Sequence, residues 1–207
     1  MSAPALTTEP DQALSVLYAD ADLLVLDKPA GLLSVPGRGP QRQDCLSARA
    51  QAVWPDALVV HRLDMATSGL LLMARGSAAQ RQLGSAFEQR RIGKRYCAVV
   101  AGALHNPSPD NGWNSVELPL LADWLDRPRS KVCHLHGKPS LTRWRLAAQP
   151  DDPADQPLTT RLELEPISGR SHQLRVHLQA IGHPIWGDTL YGGGGGGRGV
   201  GGEGERA

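Results

Sequence analysis

Cysteine is sparse in this 207-residue chain, which has only Cys45, Cys97 and Cys133. They are unclustered and form no CxxC. This excludes a disulfide framework or a zinc site of the usual spacing and points to reduced thiols in a cytosolic protein. A global charge imbalance is also missing, since the formal net charge is +1. No run of apolar residues approaches membrane-spanning length, and MSAPALTTEPDQ has neither the basic nor the apolar region of a secretory signal. The expectation is a soluble, cytoplasmic protein without a membrane partner. Aromatics are few: five Trp, three Tyr and one Phe. There is no GxxxxGK[ST], no GxGxxG after a strand and no GxSxG. His172 and His177 lie five apart on a helical stretch, whereas a HExxH pair is four apart and carries a Glu. No metal is therefore expected, and His61, His172, His177 and His183 are read as hydrogen-bonded structural groups.

The length suits one domain or two small ones with a real core. The positive charge gathers in two places, Arg81, Arg90, Arg91, Lys94 and Arg95 in one segment and Arg127, Arg129 and Lys131 in another. Such runs are usually solvated faces, but they also suit a phosphate backbone.

After a flexible lead-in over residues 1–12, SVLYAD and LLVLDKP read as strands joined by a turn at Asp20-Ala21-Asp22. KPAGLLSVPGRGP reads as a structured loop. DCLSARAQAVW has helical spacing with Asp44 as its start signal. Strands follow at 58–60 and 70–74, and then an amphipathic helix from Ser77 with Leu83 and Phe87 on one face. KRYCAVVAG, WNSVELPL, KPSLTRWRLAA and LTTRLELEPI read as strands, the last two joined by QPDDPADQP. SHQLRVHLQAIGHP is a helix ending at Gly182 and stopped by Pro184. The pattern implies an α+β fold with a mixed, largely antiparallel sheet and flanking helices. Residues 13–192 make one domain, and the glycine-rich run over 193–207 has too few side chains to join a core.

Three segments exceed what folding alone asks for. In HRLDMATSGLLLMAR, Asp64 stands at the lip of a short aliphatic strand, where partial burial requires a cation or donors. The commoner reading is a turn aspartate bonded to amides at Thr67 or Ser68. In ISGRSHQLRVH, Arg170, His172 and Arg175 crowd a helix start, an end where cations are unfavourable. This suggests a tertiary anionic partner, although plain solvent exposure competes. In GKRYCAVV, Tyr96 sits among cations at a strand start. A carboxylate, an arginine and an aromatic ring would together suit a nucleophilic carboxylate acting on a planar base.

HRLDMATSGLLLMAR resembles the signature of the RluA family of RNA pseudouridine synthases. LLVLDKPAGLLSVPGR, KRYCAVVAG, KVCHLHGKPSLTRWRL and PISGRSHQLRVHLQAIGHPIWGDTLYG are similar to its other segments, in order, across residues 14–192. The GLLSVPGR version, with no S4-type domain before it, resembles the branch that modifies both 23S rRNA and a tRNA anticodon arm. The resemblance implies isomerisation of uridine to pseudouridine by a monomer with RNA as partner and no cofactor or metal. It implies Asp64 as nucleophile, Tyr96 packing on the target base, and Arg175 pairing with Asp64. Leu174 would wall the base pocket, Arg62 would enter the RNA, and His61 and Arg170 would assist substrate binding. The family continues past GDTLYG with a further core strand, which the glycine run replaces here. A truncated, impaired RNA-binding remnant is therefore the alternative. A glycosidase would need a second carboxylate in a comparable setting, and none occurs.

Overall fold

The computed structural model describes residues 14–105, 112–147 and 158–192. The expectations for the lead-in, for the QPDDPADQP loop and for the glycine-rich tail fall outside these residues. The chain packs as two compact units, one up to Ile92 and one from Gly93 onward. The single domain read over 13–192 spans both.

In the first unit, β1 (Val16–Ala19) and β2 (Leu23–Lys28) form the expected hairpin. The Asp20 carboxylate closes its turn by accepting from the Asp22 and Leu23 amides at 2.8 and 2.7 Å. β3 (Ala57–Val59) and β4 (Gly69–Arg75) complete an antiparallel sheet of order β1-β2-β4-β3. Alternation along β2 turns Leu24, Leu26 and Lys28 to the buried face. The two leucines join Leu46, Ala50, Ala57, Leu71 and Met73 in the core.

Helix α1 (Leu46–Val53) departs from the expectation at its start, because its N-cap is Cys45 and makes no side-chain cap. Arg49 takes the Asp44 carboxylate through two hydrogen bonds of 2.8 and 2.7 Å. The orphan amides of Leu46 and Ser47 are met instead by the carbonyls of Leu33 and Ser34. Helix α2 (Gly76–Glu88) starts one residue before Ser77. Gly76 has φ +78°, a conformation glycine adopts without strain.

The second unit holds β5 (Tyr96–Ala101), β6 (Asn114–Glu117), β9 (Leu141–Leu146) and β10 (Thr159–Pro166) in an antiparallel sheet of order β5-β10-β9-β6. β10 alternates strictly between half-buried and buried positions, so Thr160, Leu162 and Leu164 face inward. Leu162 and Leu164 pack with Val100, Val116, Trp144 and Leu178 of helix α3 (Gln173–Ala180).

WNSVELPL, read as one strand, is two. β6 ends before Leu118-Pro119, and β7 (Leu120–Ala122) leaves the sheet to pair with β8 (Ser130–Val132) as a separate ribbon. Proline cannot donate to a ladder, so the strand changes partner there. Among the described residues all strand pairings are antiparallel, apart from a parallel bridge between Leu33 and Cys45. The fold is α+β, and the described residues form two four-stranded sheets and a ribbon. No helix among the described residues is long and apolar enough to cross a membrane.

Candidate active site

Asp64 lies in the first unit on the turn between β3 and β4, half-buried. Its main-chain carbonyl accepts from the Thr67 amide at 3.1 Å, so the backbone closes the turn. Two buried side chains hold the turn from below. The Ser34 hydroxyl donates to the Leu63 carbonyl at 2.7 Å and accepts from the Leu63 amide at 3.0 Å. Lys28, wholly buried at the end of β2, donates to the carbonyls of Pro29, Leu32 and Met65 at 2.8, 2.7 and 3.1 Å. All three ammonium protons therefore have acceptors, as burial of the group demands.

Burial lowers the Lys28 pKa, and the negative charge of Asp64 opposes that shift. Lys28 is thus a positive neighbour for Asp64 within its own unit, which the sequence reading did not identify. Its signal was available, because Lys28 falls in register with Leu24 and Leu26 on the core face.

His61 is tied into the scaffold. Its Nε2 accepts from the Leu72 amide at 2.8 Å, extending the β3–β4 pairing through a side chain, and its ring lies 4.5 Å from that of Phe87. An acceptor Nε2 places the ring proton on Nδ1. Arg62 is exposed beside it.

In the second unit, Tyr96 opens β5 opposite Leu164 and packs half-buried against the core, as does Leu174 from α3. The N-cap of α3 is His172, with φ +55°. The buried Gln173 accepts from the Ser168 hydroxyl and the Arg170 amide, and donates to Leu141 O and Thr142 Oγ1. Arg170 reaches the Pro139 carbonyl at 3.4 Å.

Arg175 meets an anion, as its position at a helix start suggested. Its Nε and Nη2 donate to the two oxygens of Asp188 at 2.6 and 2.7 Å, and its guanidinium carbon lies 4.9 Å from the centre of the Tyr191 ring. Burial would raise the Asp188 pKa. The Arg175 fork and the amides of Leu190 and Tyr191 outweigh it, so the pKa is lowered overall. Tyr191 is buried, with its hydroxyl 2.7 Å from His172 Nδ1 and accepting from the Ser130 amide at 2.7 Å. Asp188 and Tyr191 belong to GDTLYG, which sequence reasoning quoted without giving either residue a role.

His177 and His183 are structural, as expected. His177 bonds Leu118 O at 3.0 Å and Thr142 Oγ1 at 2.9 Å, and burial lowers its pKa against the opposing effect of the Leu118 bond. His183 bonds Ala101 O at 2.9 Å. Among the described residues no three His, Cys, Asp or Glu side chains converge as metal ligands.

The chemistry on offer is a carboxylate on a rigid turn with a buried ammonium nearby, and separately a fixed guanidinium and a strand tyrosine. The family model for RNA pseudouridylate synthase matches residues 22–180. A relative from Yersinia pestis, dual-specificity RNA pseudouridine synthase RluA, is 47% identical over 85% of this chain and 81% of its own length. The protein of the same name from Escherichia coli K12 is 47% identical over 86% of this chain and 77% of its own. Human RNA pseudouridylate synthase domain containing 1 superposes with a TM-score of 0.67 at 26% identity, covering 90% of this chain and 73% of that one. The chain belongs to the RNA pseudouridylate synthase family and is an RNA pseudouridine synthase, an isomerase.

Proposed function

We propose that this chain isomerises loop uridines in 23S rRNA and in a tRNA anticodon arm, with Asp64 as the catalytic carboxylate. The observation that carries the assignment is the seating of the Asp64 turn on Lys28 and Ser34. This scaffold holds the backbone on either side of Asp64 and sets a buried positive charge near its carboxylate. A stacked uridine hides the reacting atoms, so the base must be flipped out, at a cost lowest in loops. The N1–C1′ bond then breaks, the uracil turns, C5 bonds to C1′, and the C5 proton is released as N1 gains one. Tyr96 packs on the uracil, Leu174 walls it, and Arg175 pairs with the nucleophile. Arg62, His61 and Arg170 engage the RNA. The reaction needs no cofactor or metal, and the enzyme works in the cytoplasm as a monomer.

Relatives named dual-specificity enzymes, at 47% identity, support a twofold substrate range, and the choice of these two RNAs rests on the resemblance of the GLLSVPGR segment. Incubating the chain with a transcribed anticodon stem-loop and a 23S rRNA fragment, then mapping pseudouridine, tests them. Modification of a loop uridine in both is expected. Modification confined to one would reduce the proposal to a single-substrate enzyme, and modification of neither would reject both RNAs as substrates.

A further inference from the structure

The β7–β8 ribbon ends in a tip over residues 123–129, DWLDRPR, that none of the roles above uses. Its base is anchored. Leu120 packs with Val176 of α3 and Tyr191, and the Ser130 amide bonds the Tyr191 hydroxyl. The tip itself is closed by main-chain bonds from the Asp123 amide to Arg129 O at 2.8 Å and from the Arg129 amide to Asp126 O at 2.9 Å. On this braced loop Trp124 is 70% exposed and Leu125 97% exposed. Isolated exposed apolar residues are ordinary, but adjacent ones held out at a hairpin tip are a feature of contact surfaces.

The charges say what kind of contact. Lys131 takes Asp123 at 3.2 Å and Arg129 takes Asp126 at 2.8 Å. Among the described residues Arg127 has no carboxylate partner, and its guanidinium carbon lies only 3.4 Å from the centre of the Trp124 ring. Both acids of the tip are thus neutralised and one cation is left over, set against the face of an indole. A plane with a positive edge fits an unpaired nucleobase followed by its phosphate. Aromatic rings stack on any base, and arginine adds both stacking and charge.

We propose that the Trp124–Arg127 tip is a second RNA-docking point, stacking on an unpaired base of the substrate other than the target uridine while Arg127 meets the adjacent phosphate. The inference rests on the RNA-modifying function stated above and extends it to substrate choice. RNAs offering a loop are favoured over paired RNA because only an unpaired base reaches the ring.

The test uses the whole chain, a stem-loop RNA with a seven-nucleotide loop, and a fully paired RNA of equal length. Trp124→Ala should raise the stem-loop Kd about 5- to 150-fold, the range for losing one base–aromatic stack. Trp124→Phe should restore most of the affinity, while the paired RNA's Kd moves less than about 2-fold. Arg127→Ala should lower the salt slope of binding by about one unit. An unchanged stem-loop Kd, or equal weakening on both RNAs, would overturn the proposal. So would unchanged RNA binding with loss of self-association, which would assign the tip to a protein interface. Binding is read without turnover, so the two failures separate. A chain that binds through Trp124 but makes no pseudouridine sinks only the function. One that makes pseudouridine with Trp124→Ala binding as before sinks only the docking point.

Discussion

Asp64→Asn should reduce pseudouridine formation by at least about 10⁴-fold, the scale of losing a nucleophile that no neighbour replaces. The amide has nearly the shape of the carboxylate, so the turn should keep its form. Its closing bond comes from the Asp64 main-chain carbonyl, and its supports, Ser34 and Lys28, grip Leu63 and Met65. RNA affinity should stay the same or rise slightly, because removing a negative charge eases the approach of phosphates. The stability cost should be small and felt through Lys28, whose buried charge loses the compensation Asp64 gives it. Single-turnover rates measured alongside RNA binding check this. A variant that lost rate only because it lost affinity would remove Asp64 from the chemistry.

Asp188→Ala should be the most damaging substitution for stability, at about 3–5 kcal/mol, the usual cost of leaving one member of a buried pair alone. The side chains of Arg175 and Asp188 are only 11% and 5% exposed, and the carboxylate also receives the Leu190 and Tyr191 amides. Removing it takes the bidentate acceptor from a buried guanidinium and the shared acceptor from two amides. Arg175 would also lose what aims it, so activity should fall even where the protein remains folded. The pH dependence follows from the direction of the Asp188 shift. Its folded pKa is lowered, so its stabilisation is complete above the unfolded carboxyl value of about 3.9 and fades as pH falls through the lower folded value. Thermal melts should therefore show an acid limb below about pH 4 that is shallower in Asp188→Asn. An Asp188→Ala melting temperature equal to that of the unsubstituted chain would contradict the pairing.

The fold was largely legible because its elements obey simple periods. β10 alternates so regularly that its inward residues could be read off, and α3 stops where Gly182, at φ +85°, and Pro184 say it should. The misses have local causes. Pro119 divides an apparently continuous strand only because β8 offers β7 another partner, and that partner lies beyond any local window. Asp44 has the composition of an N-cap, but Arg49, five residues on, captures it while distant carbonyls serve the helix.

Of the candidate residues, Asp64, Tyr96 and Arg175 stood out because each is chemically out of place in its segment. Lys28 and Asp188 did not. A lysine beside a proline looks like a strand end, and an aspartate after glycine looks like a turn. What distinguishes them is the convergence of three carbonyls on one ammonium and of a guanidinium and two amides on one carboxylate, and folding alone creates both.

The central claim, that this chain moves the glycosidic bond of a uridine within RNA, is tested most directly with RNA tritiated at uracil C5. The unsubstituted chain should release tritium to water while every uracil stays covalently attached to the RNA. Tritium retained on RNA that the chain binds, or free uracil appearing in solution, would contradict it.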